Sequence, residues 1–290
     1  METLWINGKY MPLEQGTVPI EDRSLLFGDG IYEVIASYDG VPILLQEHLD
    51  RWDRSAEGLR IPQIYSREQR LEVFHELLAR IGTPNAMLYG QLSRGTGRRA
   101  HQFPKEAKPI EFWYSRALPD YPKHLHADGV GVFTHPDERW ARCWIKSTSL
   151  LANCLAKQYA HERGGFEALL VNDQNIVTEG AVANFSCIKN GTIYTHPEDG
   201  RILGGCKRNM VLRLARKNGI EVREEKYTLD FLKTAEEAFL SSTTINVLPV
   251  TKLDGAPVGT GKVGPVTAKL MALVADEIRT TREAALAAAK

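Results

Sequence analysis

Short apolar blocks recur along the chain, and their period switches between two and about 3.6, which predicts a mixture of strands and helices. Leu4-Trp5-Ile6 reads as a strand ending at the turn Asn7-Gly8. A second turn at Gly28-Asp29-Gly30 leads into a strand over 31–38, the turn Asp39-Gly40 and a strand over 41–45. Two strands flanking Asp-Gly form a hairpin signal. Helical spacing covers 46–58 and 66–81, the latter started by Ser66 and Glu68, and strands follow at 87–93 and 110–113. Leu118-Pro119-Asp120-Tyr121-Pro122 has two prolines in four positions, which suits neither a helix nor a central strand. Beyond it the pattern predicts strands at 131–134 and 143–146, then a helix over 148–163 closed by Gly164-Gly165. Strands at 168–171, 176–178 and 184–188 follow, with turns at Asn172-Asp173 and Asn190-Gly191. A helix over 207–217 stops at Asn218-Gly219, a strand covers 238–241, and a last helix starts near 264. The expected fold class is α/β (α+β) in two domains. Residues 1–117 form the first, 118–123 the linker and 124–280 the second, with the alanine-rich stretch 281–290 as a flexible tail.

Composition narrows the function classes. With 290 residues, 43% hydrophobic and 25% charged, the chain has enough apolar content for two cores, which argues against disorder. Thirty-six basic residues balance 36 acidic ones, so no nucleic-acid partner is expected. The one dense basic cluster, Arg94 with Arg98 and Arg99, lies in a glycine-containing loop and suits a small anion. No apolar run reaches membrane-spanning length and no leader precedes the first strand, so no membrane partner is expected. The four cysteines, 143, 154, 187 and 206, form no CxxC pair and read as reduced, mostly buried thiols of a cytoplasmic protein. No metal site is expected.

Three features carry chemistry. Lys146 sits where a strand is expected to hand over to a helix, flanked by Trp144 and Ile145. Desolvation and the positive helix end both favour a neutral amine there, and only a neutral amine attacks a carbonyl. The same pattern also fits a surface lysine that starts a helix. Glu179 ends a short β-branched strand before Ala181–Ala183, suited to a ring nitrogen or to an exposed turn. Gly204-Gly205 before a helix, the run Ser241-Ser242-Thr243-Thr244, and Arg51 are candidate phosphate donors, each weak when taken singly.

Five motifs in register resemble one family. Phe27-Gly28-Asp29-Gly30-Ile31-Tyr32-Glu33, Glu47-His48-Leu49-Asp50-Arg51, Ile145-Lys146-Ser147, Thr178-Glu179-Gly180 and Ser242-Thr243-Thr244 resemble those of the fold-type IV aminotransferases, over roughly residues 4–270. The resemblance implies a two-domain pyridoxal 5'-phosphate enzyme with Lys146 as the Schiff-base lysine and Glu179 on the pyridine nitrogen. Arg51, Thr243, Leu203, Gly205 and Cys206 would complete the cofactor shell.

The run Arg94-Gly95-Thr96-Gly97-Arg98-Arg99-Ala100-His101-Gln102-Phe103-Pro104 is similar to a signature of D-amino-acid aminotransferases. It implies that Arg99 and His101, with Tyr32, bind a substrate carboxylate. It also implies a homodimer in which the loop completes the neighbouring site. Guanidinium, imidazole and phenol are all donors that can fix a carboxylate. The implied reaction is ping-pong transfer of an amino group from a D-amino acid such as D-alanine to a 2-oxo acid such as 2-oxoglutarate. The scaffold is shared by (R)-selective amine transaminases, which stand as the nearest alternative together with a dual-activity enzyme. Branched-chain aminotransferases and aminodeoxychorismate lyases share it too. Two positions depart from the pattern: Lys207 stands where relatives usually carry threonine, and Arg98 where a close relative carries proline.

Overall fold

The computed structural model describes residues 2–288, which fall into two compact units. Residues 2–119, 145–150 and 281–288 belong to one, and Asp120–Trp144 with Leu151–Thr280 form the other.

In the first unit the strands are β1 (Thr3–Ile6), β2 (Lys9–Pro12), β3 (Gly30–Tyr38), β4 (Val41–Pro42), β5 (Asn85–Ser93) and β6 (Ile110–Ala117), and the helices are α1 (Arg23–Phe27), α2 (Leu45–Leu59) and α3 (Arg67–Ile81). The strands form one antiparallel sheet in the order β2-β1-β6-β5-β3-β4. Alternation along the strands sends Trp5, Ile31, Ile35, Leu88 and Trp113 to a core shared with Leu49, Trp52, Phe74 and Leu77 of the two long helices. The turn Asp39-Gly40 has φ of 50° and 78°, the left-handed pair that a tight hairpin requires. The strand expected over 41–45 is shorter, because Leu44 turns left-handed (φ 57°) and α2 begins at Leu45. Ser66 caps α3 as expected, in a reciprocal box completed by Gln69.

The second unit holds α4 (Lys123–Asp128), β7 (Val130–Pro136), α5 (Leu151–Glu162), β8 (Glu167–Val171), β9 (Val177–Gly180), β10 (Asn184–Lys189), β11 (Thr192–Thr195), α6 (Cys206–Lys217), β12 (Val222–Glu224), α7 (Leu229–Leu232), β13 (Glu237–Ser242), β14 (Asn246–Leu253) and β15 (Ala256–Pro257). Eight strands run in the order β12-β11-β10-β13-β14-β7-β8-β9, with β15 paired to β14. Their inward residues, Leu169, Phe185, Leu240 and Leu248 among them, build this unit's own core.

Three expectations are corrected. Residues 143–146 form no strand: Cys143 and Trp144 lie in a turn, and a single bridge joins Ser147 to Ile31. Lys146, expected in the second domain, belongs to the first unit instead. Its carbonyl accepts from Tyr32 N–H at 3.0 Å, its N–H donates to Ser55 Oγ at 3.1 Å, and Thr148 N–H donates to Gly30 O at 2.9 Å. The described part of the expected tail, 281–288, continues α8 (Pro265–Ala288), and Arg282 Nη1 lies 3.1 Å from Asp39 Oδ2. Alanine, arginine and glutamate are strong helix formers, so the composition favours helix. Residues 289–290 of that stretch lie outside the described residues.

The first unit's core encloses an ion pair. Arg70 on α3 donates through Nε and Nη2 to the two oxygens of Glu111 on β6, at 2.7 and 2.9 Å. Trp113 Nε1 donates to the same carboxylate at 2.8 Å. Both charges are fully enclosed, at 1% and 0% side-chain exposure. Arg70→Ala strands a buried carboxylate and should lower unfolding stability by about 3–5 kcal/mol in chemical denaturation. An effect below about 1 kcal/mol would mean the pair is dispensable.

Candidate active site

In the first unit, Tyr32 and Glu33 are neighbours on β3 and project to opposite faces. The Tyr32 ring stacks on Tyr89 at 5.8 Å, and Lys146 Nζ lies 4.1 Å from its centroid, so the two sequence-predicted residues meet. Lys146 is half-buried, between the core residue Ile145 and buried Ser147, while Trp144 is exposed. The expected helix head is absent at Lys146. α5 starts five residues later, at Leu151, beyond the turn or so over which a helix dipole acts.

Glu33 meets Arg51 of α2 in a two-point pair, Nε to Oε2 at 3.0 Å and Nη2 to Oε1 at 2.7 Å. His48 Nδ1 lies 3.1 Å from Glu33 Oε1. Burial alone raises a carboxyl's proton affinity. Arg51, and then His48, more than offset this and hold Glu33 well below the usual carboxylate range. Arg51 is thus fixed as a buried cation. Ser55, one turn along α2, accepts the Lys146 N–H, so one helix face supports both residues.

Arg99 and His101 lie together on an exposed loop, flanking Phe27. The Arg99 guanidinium carbon is 5.4 Å from that ring's centroid, and the His101 ring is 5.6 Å away. Tyr32 is not part of this group. Arg94, read from sequence with the basic cluster, is instead buried at 5% exposure and paired to Asp29 at 2.8 and 3.0 Å. Its Nη1 and Nη2 are also taken by the carbonyls of Arg60 and Leu59, so this guanidinium, engaged on every arm, is a brace for the loop and is not available to a ligand.

In the second unit, Glu179 is 4% exposed on β9. Its Oε1 accepts from Arg139 Nη1 and, at 3.1 Å, from Leu203 N–H, and its Oε2 accepts from Asn184 Nδ2 at 2.7 Å. Burial raises its pKa above the ordinary value against the opposing pull of Arg139. Arg139 is itself held by Asp137 at 2.8 Å, whose carboxyl burial raises but Arg139 lowers further, to a net depression.

Asn184 gathers the other predicted residues. Its Nδ2 also donates to Leu203 O at 2.8 Å, and its backbone stands opposite Ser241 on β13, two residues before Thr243 in the hairpin turn. A methyl added at Gly205 would fall 1.9 Å from Asn184 Oδ1, so only glycine fits there. Gly205 is the N-cap of α6 and makes no side-chain cap, and a glycine-led helix start of this kind suits an anion. Glu179, Leu203 and Gly205 thus meet at Asn184, while Cys206 follows Gly205 in the chain and Thr243 lies two residues beyond the strand partner of Asn184. Sequence reasoning missed Asn184 and Arg139, whose side chains mark no local motif. It also missed Glu33 as the partner of Arg51, although Glu33 lies within the quoted N-terminal motif.

Each unit by itself carries donor types that fit parts of pyridoxal phosphate. In the first, a lysine amine sits against an aromatic ring. In the second, a buried carboxylate is held by three donors and a glycine-capped helix start suits a phosphate. Residues 30–253 match the family described as amino-transferase class IV, and the chain belongs to that family. The resemblance read from the five motifs is therefore borne out. Within it, the chain is 41% identical over 271 residues to a D-alanine aminotransferase of Staphylococcus haemolyticus, covering 93% of this chain and 95% of the relative. It is 40% identical over 276 residues to a D-alanine aminotransferase of Listeria monocytogenes, covering 94% and 95%. A solved T.th. branched-chain amino acid aminotransferase with pyridoxamine 5'-phosphate is 26% identical, with a TM-score of 0.88 over 95% of this chain and 93% of that one.

Lys207, where a threonine was expected, is 3% exposed at the second position of α6, and its Nζ donates to Met210 Sδ at 3.8 Å. Burial pushes its pKa down to about 8. In cofactor-free protein the charged form therefore costs stability below pH ~8, and that cost fades as the pH rises toward ~10.5, where the unfolded lysine also loses its proton. Lys207→Met should be more stable than the parent by up to about 3 kcal/mol at pH 7, with the difference shrinking between pH 8 and 10.5. A pH-independent difference in urea midpoints would remove the buried charge as its cause.

Proposed function

We propose that this chain is a pyridoxal 5'-phosphate-dependent D-amino-acid transaminase. It moves the amino group of a donor such as D-alanine to a 2-oxo acid such as 2-oxoglutarate in two half-reactions. The observation that carries the reading is the pairing of Arg99 with His101 over one aromatic ring, on an exposed loop, in a chain whose relatives are D-alanine aminotransferases. Once bound, the cofactor supplies an aldehyde for the amine and a ring that withdraws electrons from Cα.

The chain's own residues do the rest. Lys146 would hold the cofactor through Nζ and, as a free amine during turnover, would remove the proton from the donor's Cα. Glu179 keeps a proton on the ring nitrogen. Its burial and the three donors that hold and orient its carboxylate support this role. Arg51, Thr243, Leu203, Gly205 and Cys206 hold the remainder of the cofactor, the helix start through backbone N–H groups. Arg99, His101 and Tyr32 fix the substrate carboxylate.

The exposure of Arg99 and His101 supports a homodimer in which each loop completes the neighbouring subunit's site. Four free thiols support a cytoplasmic location.

Fixing the carboxylate leaves one way to present Cα–H to Lys146, so stereochemistry tests the reading. D-alanine should convert the visible absorbance of the bound cofactor to that of the amino form, and L-alanine should not. Faster conversion by L-amino acids would favour a branched-chain enzyme instead. Arg99→Ala should reduce kcat/KM for D-alanine by about thirty- to several-hundred-fold. Glu179→Gln should slow Cα–H removal in single turnover by orders of magnitude with a smaller effect on cofactor affinity, and a parental rate would exclude the role assigned to Glu179.

A further inference from the structure

We propose that Arg23 and Asp29 are positioning residues for substrate recognition, a clamp that sets where Arg99 and His101 point. The proposal rests on the reading of those two residues as carboxylate donors.

Arg23 is 4% exposed at the first position of α1 and is committed on every arm. Its Nη1 donates to Ala100 O at 2.7 Å and reaches Gln102 O at 3.5 Å, and Nη2 reaches His101 O at 3.4 Å. The first contact is a strong charge-assisted bond and the other two are weaker. Three successive carbonyls of the loop therefore face one planar cation. That cation also lies 4.6 Å from the Phe27 centroid, the same ring that Arg99 and His101 flank.

Asp29 closes the arrangement. Its Oδ2 accepts from Arg23 Nε at 2.7 Å and from Arg94 Nε at 2.8 Å, and its Oδ1 accepts from Arg94 Nη2 at 3.0 Å. Arg94 starts the loop and is tied in addition to Leu59 O at 2.6 Å and Arg60 O at 2.8 Å. One carboxylate thus joins the loop's first residue to the cation that reads its 100–102 stretch. Arg23 N–H also donates to Gly95 O at 3.0 Å.

All of these loop contacts are to main chain, or to Arg94, and none uses the Arg99 or His101 side chain. The clamp therefore fixes the backbone from which those side chains depart and leaves their donors for a ligand. A guanidinium is required, because a lysine's point charge cannot serve three carbonyls and a carboxylate in one plane. Misplacing a binding group by about 1 Å costs roughly a hundredfold, so a loosened clamp should show first in substrate affinity.

The test uses the holoenzyme of Arg23→Lys and Asp29→Asn. Each should keep the visible cofactor absorbance, the cofactor dissociation constant and the rate of reaction with hydroxylamine, which has no carboxylate. Each should raise KM for D-alanine about ten- to a hundredfold, with kcat changed less than about threefold. In an Arg99→Ala background the further effect of Arg23→Lys should shrink severalfold, to the part that acts through His101, because one of the two donors the clamp positions is already lost. Equal losses with and without Arg99, parental KM in both variants, or failure of both to fold would overturn the clamp as a positioning device. If Arg99→Ala itself leaves KM for D-alanine unchanged, the carboxylate reading of the loop falls instead.

Discussion

Everything chemical about Lys146 depends on an edge of β3 that the sheet itself does not fill. β4 is two residues long, so it pairs with β3 only at Ser37 and Tyr38. The other end of that edge, from Gly30 to Tyr32, would present unpaired N–H and C=O groups. The segment around Lys146 takes them: Tyr32 N–H to Lys146 O, Thr148 N–H to Gly30 O, and a bridge from Ile31 to Ser147. Thr148 Oγ1 adds a bond to Gly28 O at 3.1 Å. The main chain is held on both sides of the lysine, and Ile145 is sunk in the core. The amine is therefore placed without any bond that consumes it.

The charged groups follow a second constraint. A carboxylate buried alone costs several kcal/mol, and each of those near a proposed functional group is paired with an arginine. Glu33 has Arg51, Asp29 has Arg23 and Arg94, and Glu179 shares Arg139 with Asp137. Arginine serves here because its planar fork satisfies several acceptors at once and stays charged when buried. The arrangement also sets protonation. Arg51 and His48 keep Glu33 a fixed anion, whereas burial of Glu179 outweighs its arginine and raises its affinity for a proton. Two buried glutamates so acquire different chemistry from the balance of desolvation against charge.

What was legible in the sequence was local. Asp39-Gly40 and Asn190-Gly191 announce their hairpins because few other residues accept two successive positive φ values. Helices α2, α3 and α6 show their apolar faces, and Ser66 shows its cap. The family motifs were legible as well, since each is a short run. The failures are long-range. Apolar residues at 143–146 look like a strand, but their pairing partner lies more than a hundred residues earlier, and no local period reports it. Arg139 meets Glu179 across 40 positions and Arg23 meets Ala100 across 77, with nothing in either neighbourhood to single the arginine out. Arg94 was misread for the same reason: as part of a basic cluster it looks like a ligand site, and only Asp29 reveals it as a brace.

Lys146 and the Arg99–His101 loop share a design that links fold to proposed function. In both, the backbone carries the structural bonds, and none of those bonds uses the side chains proposed to react or to bind. Ordering a flexible arginine or lysine on binding costs about 1–2 kcal/mol of rotamer entropy, and ordering its backbone costs a similar amount per residue. Folding has already fixed the backbone here, so a substrate orders only the side chains. Phe27 lowers that remaining cost for the loop, because its ring limits where the neighbouring guanidinium and imidazole can go without occupying their donor atoms. A proton transfer that requires Cα–H to face one amine depends on such preorganisation more than on the strength of any single contact. Selectivity for one hand of an amino acid would then come from bonds of the main chain at 30–32 and 100–102, which use none of the side-chain donors proposed to meet the substrate.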